Sequence, residues 1–403
     1  MRRYHLLTTL YLAVWSILIG IATGLYLNAI NLVIELFWHH LPTWLGIPGP
    51  WRAVTICLPG GLLIGIVQKY LGPAPLTIAE VLNEVQQTGH FSYHRWWKIL
   101  VTGLLILGAG ASAGPEASAS GLVAGMIYWL GCRYKLIHDQ AGAYAHQSFW
   151  AQNRAIWGTR LAQAGPTKLL TAYFTSPQQQ KRFYWCWTLV ALGGFFGYFH
   201  FFPQEGVISF HHPALTWQWQ GSLVLIPAVI TGWDFGFIFV KVSKFSERWL
   251  GHPEHPIGKA CLGGVLLALT ACFSSDILFS GEFRIVPFAH QAFNLAPGYL
   301  ISLAFLKLII TNVGFSLGWR GGTIFPAIFS SLAIGAALAQ CFPWMPQLTA
   351  CLVVAVAVTV ILEKPLISAA VLILLLPVQF SLLIIGACWL TTHITQRFPL
   401  LKP

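Results

Sequence analysis

The chain has 403 residues, of which 56% are hydrophobic and only 9% charged, far below the ~25% charged share of ordinary soluble domains. Apolar stretches recur from end to end without the ten-residue alternation of a transmembrane β-barrel, so the composition indicates an all-α, polytopic membrane protein. Its net charge of +11 comes from 23 Lys and Arg scattered along the chain. That pattern fits contact with anionic lipid headgroups and attraction of small anions, and argues against a nucleic-acid surface.

Met1-Arg2-Arg3 precedes an apolar run from Leu6 to Phe37, too long for the core of a cleaved signal. It predicts a retained, tilted first helix, and the two arginines predict a cytoplasmic N-terminus. Further apolar segments are expected near Ala53–Val67, Ile99–Leu107, Leu122–Leu130, Tyr184–Phe202, Leu223–Val240, Ala260–Phe273, Tyr299–Phe315, Ile324–Ala339, Leu348–Leu362 and Leu366–Leu390. Several are shorter than the ~20 residues of a full span and are interrupted by Gly and Pro, as in helices that stop midway and line a cavity. Between them, Thr77 to Glu84 reads as an amphipathic surface helix. The polar stretch Cys132–Arg182 reads as a loop with one or two short helices.

Trp96-Trp97, Trp129, Trp185-Cys-Trp187 and Trp217-Gln-Trp219 suit the membrane interfaces. The eight cysteines form no CxxC pair and read as small apolar residues. Neither His211-His212 nor His138 and His146 has metal-ligand spacing, and no cofactor is expected. Paired intramembrane aspartates, Ser/His pairs and HExxH are not found, so the chain is read as a non-enzyme.

One carboxylate stands apart. Glu116 lies in Leu107-Gly-Ala-Gly-Ala-Ser-Ala-Gly-Pro-Glu-Ala-Ser-Ala-Ser-Gly121, between two apolar segments, where a charge at the bilayer centre costs ~3 kcal/mol. Gly114-Pro115-Glu116 reads as a helix beginning with proline at the first helical position, and Ala117 follows in the first turn. A helix beginning offers unpaired N–H groups that bind anions, so the sequence puts an acidic side chain where an anion would bind. Close packing through small residues would account for the glycines but not for the carboxylate. The second half echoes the arrangement: Gly321-Gly322-Thr323-Ile324-Phe325-Pro326 precedes a small-residue helix, with Arg320 alongside. Corresponding broken helices in two halves predict a binding site at an inverted-repeat interface, with pseudo-repeats at roughly 6–202 and 221–390 of a single membrane domain and no soluble regulatory domain.

These motifs resemble the CLC family of chloride channels and proton/chloride exchangers. Gly108 to Ser118 is similar to the family's GxGxSxGREGP, whose glutamate is the external gate and falls on Glu116; Pro115, Ala117 and Ser118 replace Arg, Gly and Pro. Gly321–Pro326 is similar to GGxFxP, and Lys364-Pro-Leu-Ile-Ser-Ala-Ala370 to APLTG. Weaker likeness runs through Ile17–Trp38, Arg95-Trp-Trp-Lys98 and Phe279-Ser-Gly-Glu-Phe283, the last matching an SGGG region. The resemblance implies anion binding by Gly114, Pro115, Ala117, Gly322, Thr323, Ile324 and Phe325, and an inner pore near Pro73, Thr77, Gln379 and Phe380. It implies a homodimer in the bacterial plasma membrane with one pore per subunit, carrying chloride or another small anion. Three departures follow. No serine matches the family's GSGIP near Gly72–Leu76, although Thr77 is close; no tyrosine stands at Gln379 or Phe380; and between Glu116 and Glu205 the only acidic residue is Asp139, so the exchangers' inner glutamate has no counterpart. The expectation is passive, channel-like anion flux gated by Glu116, the alternative being a proton-coupled chloride or fluoride exchanger.

Overall fold

The computed structural model describes residues 2–88, 91, 94, 96–158, 176–203, 218–252, 254–282, 284–342 and 344–397. Arg95, Glu205, His211, His212, Trp217 and Phe283, named above, lie outside the described residues. The described chain is helical. In order come α1 (Arg2–Glu35), a π-helical turn (Leu36–His40), α2 (Leu41–Trp44), α3 (Arg52–Leu71), α4 (Ile78–Thr88), α5 (Trp96–Gly108), α6 (Glu116–Asp139), α7 (Ala141–Tyr144), α8 (Phe149–Trp157) and α9 (Pro177–Phe201). The remainder is α10 (Leu225–Leu250), α11 (Pro256–Ala271), α12 (Ile285–Ala292), α13 (Pro297–Ser316), α14 (Ile324–Cys341), α15 (Pro346–Leu362), α16 (Pro365–Leu375) and α17 (Ser381–Arg397). Six described spans are long and apolar enough to cross a membrane, while α5, α11, α15 and α16 are apolar but shorter.

Three boundaries differ from the sequence reading, each for a physical reason. Helix α6 continues past Leu130 to Asp139 because its one buried cation is satisfied: Arg133 Nε donates to the Tyr11 hydroxyl (2.9 Å) and Nη2 to the Ile156 carbonyl (3.3 Å). The Gln-rich segment Gln178–Gln180 is not loop but the first turn of α9, started by Ser176, whose hydroxyl accepts from Gln179 N–H (3.2 Å), with Pro177 in the first turn. The run Leu366–Leu390 is two helices, because Pro377 follows α16 and a 3₁₀ turn over Val378–Phe380 intervenes before α17.

The chain forms two compact units, one of residues 1–32, 75–101 and 117–204, the other of 33–74, 102–116 and 205–403. In the first, α1, α6 and α8 share a core of Tyr4, Leu7, Tyr11, Leu12, Ile19, Leu130, Ile137 and Ile156. The Tyr4 hydroxyl donates to the Ile137 carbonyl (2.7 Å), so its one polar atom is paired. Helix α4 carries the capping box expected of a surface helix: Thr77 N–H and hydroxyl both donate to Glu80 Oε2 (2.7 and 3.0 Å).

In the second unit α14 and α15 are the innermost elements, with every residue from Leu348 to Val360 buried. A helix apolar on all faces belongs inside a bundle. Small residues set the spacing around them. A Cβ on Gly232 of α10 would lie 2.6 Å from the Val353 carbonyl, and one on Gly61 of α3 would lie 2.6 Å from the Ala260 carbonyl of α11. Without a hydrophobic drive between helices in lipid, such backbone-to-backbone approach supplies the dispersion contact that holds them.

This packing makes glycine substitutions strongly position-dependent. Gly61→Leu is expected to destabilise by about 1–3 kcal/mol through overpacking against α11. Gly258→Ala, in α11 with open space around its Cβ, is expected to be neutral or to stabilise by up to about 1 kcal/mol. Thermal unfolding of the purified variants in detergent measures both; equal shifts for the two would refute the packing argument.

Candidate functional site

The site is built where two helices begin. Ahead of α6, the chain leaves α5 at Gly108 and turns through Gly110, whose φ of +92° is in the left-handed region and whose missing Cβ leaves room for the Trp38 ring. Trp38 Nε1 donates to the Gly108 carbonyl (2.9 Å), and the Ser112 and Thr311 hydroxyls are 2.9 Å apart. These contacts fix the non-helical segment 111–115. Ahead of α14, Gly318 turns at φ +97°, its carbonyl accepts from Gln68 Nε2, and buried Trp319 donates through Nε1 to the Ala260 carbonyl (2.8 Å).

The two segments then meet. Gly114 N–H donates to the Gly322 carbonyl and Gly322 N–H to the Gly114 carbonyl, both at 2.8 Å, forming an isolated antiparallel bridge. The bridge places the start of α6 beside the start of α14. Glu116, the first residue of α6, reaches across: its Oε1 accepts from Ile324 N–H at 2.7 Å and Phe325 N–H at 3.3 Å. Thr323 occupies the N-cap position of α14 but makes no side-chain cap bond. A carboxylate 208 positions earlier in the chain therefore does the capping that Ser, Thr or Asp normally does locally. The electrostatics favour it, because backbone N–H groups and the positive end of the helix dipole both attract negative charge.

Of the residues singled out in the sequence, the structure brings together Gly114, Pro115, Glu116, Gly322, Thr323, Ile324 and Phe325. Pro115 sits just before the first helical residue rather than in it, and Ala117 is fully buried one residue further on. The four inner-pore candidates each have a local setting of their own. Pro73 is exposed after α3, the Thr77 hydroxyl is engaged in the α4 cap, and Gln379 is exposed next to buried Phe380 in the 3₁₀ turn.

Two buried charged residues near the site, Lys307 and Glu282, are not among the site residues that the sequence singles out. Lys307, on α13, is fully buried. Its Nζ donates to the carbonyls of Asp276 (2.8 Å), Phe279 (3.0 Å) and Ile277 (3.2 Å) and lies 4.8 Å from the centre of the Phe329 ring. With the Leu278 carbonyl at 3.5 Å, four carbonyls surround the ammonium's three donors, which is how a buried ammonium is tolerated. The clamped turn runs directly into Glu282, which is 5% exposed. The sequence signal for both was an ionisable residue inside or beside an apolar run, the same signal that marked Glu116.

Comparison with known proteins bears on the whole chain. Residues 173–396 match the family described as "Voltage gated chloride channel", a match that includes Gly321–Pro326 and Glu282 but not Glu116. A protein of Escherichia coli O17:K52:H18 described as "Putative ion-transport protein YfeO" is 24% identical over 353 residues, covering 84% of this chain and 81% of the relative. The solved structure of a slow cyanobacterial Cl⁻/H⁺ antiporter superposes with a TM-score of 0.66 at 17% identity, covering 95% of this chain and 93% of that one. The structure of a CLC-type fluoride/proton antiporter superposes with a TM-score of 0.66 at 15% identity, covering 97% and 95%. At such identities the two structures establish the fold alone.

The geometry predicts that the seat of Glu116 depends on Gly322 having no side chain. A Cβ there would fall on the Glu116 carboxyl group, so Gly322→Ala should displace the carboxylate from Ile324 N–H. A structure of the variant checks this; an unchanged 2.7 Å contact would refute it.

Proposed function

The chain belongs to the voltage-gated chloride channel family, and we propose that it moves small anions, chloride first among them, through a pathway that Glu116 closes. The carrying observation is that the Glu116 carboxylate accepts both Ile324 and Phe325 N–H groups. Those N–H groups are a ready-made anion site, and the carboxylate occupies it as an internal competitor. When ionised, Glu116 fills the seat. When protonated it loses its charge-assisted bonds, which are roughly twice as strong as neutral ones, and yields to an external anion. Gly114, Pro115, Ala117, Gly322 and Thr323 shape the seat in this reading, and Pro73, Thr77, Gln379 and Phe380 line the inner route. The two helix beginnings belong to two inverted repeats of one membrane domain. The protein works as a homodimer in the bacterial plasma membrane, with Arg2 and Arg3 on the cytoplasmic side.

Passive flux is the simpler mode, since α6 after Glu116 offers Asp139, exposed at the helix end, as its only further carboxylate. Proton-coupled exchange is the second reading. It is favoured by the second buried carboxylate, Glu282, and by two structural neighbours that are themselves described as antiporters.

Reconstitution in liposomes tests the proposal. Wild-type anion efflux should rise as pH falls, by no more than about tenfold per pH unit for one titrating group. Glu116→Gln and Glu116→Ala should transport without that pH dependence, because a neutral side chain cannot compete as an anion. Wild-type flux and pH response in both variants would overturn the assignment. In the same vesicles, a chloride gradient that drives uphill proton movement, abolished by Glu116→Ala, selects exchange; chloride flux without pH change selects the passive mode.

A further inference from the structure

The loop between α11 and α12 carries Glu282, a buried carboxylate to which passive flux assigns no role. Its first part is held rigidly: Lys307 Nζ binds the carbonyls of Asp276, Ile277 and Phe279, and Phe279 N–H donates to the Gly110 carbonyl (3.2 Å), next to the segment that delivers Glu116. Phe279 adopts φ +60° and Gly281 φ +87°, two successive reversals that turn the chain inward. A left-handed phenylalanine is costly and persists only where the surroundings impose it; here its ring packs edge-on against Trp38 at 5.0 Å. Gly281 lies against the Phe329 ring of α14. Phe329 is one helical turn, about 6 Å, beyond the Phe325 N–H that holds Glu116.

Glu282 is delivered by this fold. Its N–H donates to the Ser280 hydroxyl (3.2 Å), and its side chain is buried with Oε2 lacking a hydrogen-bond partner. Glu116 Oε2 is likewise buried and without a partner, and the two carboxylates act on one another electrostatically. Two nearby cations are committed elsewhere. Lys307 faces carbonyls, and Arg284 Nε pairs with Asp276 Oδ1 at 2.9 Å at the outer end of the loop. Arg320 stands in the segment before α14, and the Ile324–Cys341 helix brings no carboxylate, lysine or histidine. Glu35, His39, His40 and His290, on the neighbouring π-helical turn and α12, are exposed. A buried carboxylate with no cation paired to it among the described residues is not retained for packing, because an apolar side chain would serve at lower cost.

We propose that Glu282 is a second carboxylate of the transport site, sharing a proton with Glu116 so that anion entry follows two coupled titrations. The inference rests on the reading of Glu116 as competitor for the anion seat. With both groups ionised the site carries two negative charges and admits no anion. With one proton present it can reside on either group; moving from Glu282 to Glu116 leaves Glu282 as the carboxylate and keeps the pair at one negative charge, while freeing the seat. Like-charged groups coupled this way titrate in two macroscopic steps that belong to the pair. Glu282 is thus a positioning residue for charge and proton rather than a ligand of the anion.

The test is the pH profile of chloride efflux from liposomes holding wild type, Glu282→Gln, Glu116→Gln and the double variant. The wild-type profile should be shallower than a single-site titration. Glu282→Gln should sharpen it to one site and move its midpoint to lower pH by about one unit, the order of effect of a neighbouring like charge. The double variant should be as flat as Glu116→Gln. A folded Glu282→Gln protein with the wild-type profile overturns the inference and leaves the Glu116 reading intact. A pH-independent wild type with identical Glu116→Gln flux overturns the Glu116 reading instead. Should Glu282→Gln fail to assemble, Glu282→Asp keeps the charge and should keep the two-step profile; a single-site profile in that variant counts against the inference. Infrared difference spectra of wild type on chloride addition give a readout independent of flux. Two perturbed carboxylic C=O bands, one of which survives Glu116→Gln, are expected; a single band that vanishes with Glu116→Gln overturns the proposal.

Discussion

Everything at the site depends on the reciprocal hydrogen bonds between Gly114 and Gly322. Two backbones can exchange both bonds at 2.8 Å beside a carboxylate only if neither residue carries a Cβ pointing at it, and a Cβ at either glycine would strike Glu116. The bridge sets the two helix beginnings side by side. It lets Glu116, which starts one helix, satisfy the open N–H groups of the other. Unpaired helix-terminal amides inside a bilayer are costly. The start of α14 therefore favours something negative, and Glu116 supplies it.

The chain is sparing with buried charge, and each instance has its own solution. Arg133 is paired with a tyrosine hydroxyl and a carbonyl, and Lys307 with a set of carbonyls. Both act as structural clamps, on the α1–α6–α8 core and on the loop before α12. Glu116 and Glu282 differ from them, because each keeps a buried oxygen without a partner. Among the described residues, Arg133 and Lys307 meet hydroxyl or carbonyl acceptors, and the two carboxylates are left with capacity to spare. That contrast, more than burial itself, separates the groups that hold the fold from those suited to gain and lose protons and to give way to an anion.

The family match and the segment that carries Glu116 lie in different parts of the chain. Residues 173–396 carry the recognisable pattern, while the glycine-rich stretch with Glu116 precedes it and is degenerate, with Pro115, Ala117 and Ser118 where the resemblance has Arg, Gly and Pro. The geometry explains how such a segment still serves. What α14 requires from it is a backbone that bridges Gly322 and a carboxylate at the next helix start. Neither demand falls on the side chains of residues 115, 117 and 118.

The sequence by itself determined the all-helical membrane class, the position of nearly every helix and the pairing of Glu116 with Gly321–Pro326 as matching helix starts. These are legible because hydropathy over a long window, Gly-Pro breaks and an intramembrane carboxylate are local signals. It read less well where local polarity was overruled by distant partners: Arg133 let α6 run on to Asp139 once Tyr11 and Ile156 satisfied it. Glu282 and Lys307 carried only the signal of an ionisable residue beside or inside an apolar run, and Phe279-Ser-Gly-Glu-Phe283 was legible only as a weak likeness to an SGGG region. Only the tertiary structure decided that Thr323 leaves the α14 cap to Glu116, that Thr77 spends its hydroxyl on its own helix, and that a loop 166 residues beyond Glu116 (282 − 116) returns a second carboxylate to its vicinity. The reason is physical: hydrogen-bond satisfaction and charge coupling depend on distances in space, and sequence spacing sets those only within a helix or a turn.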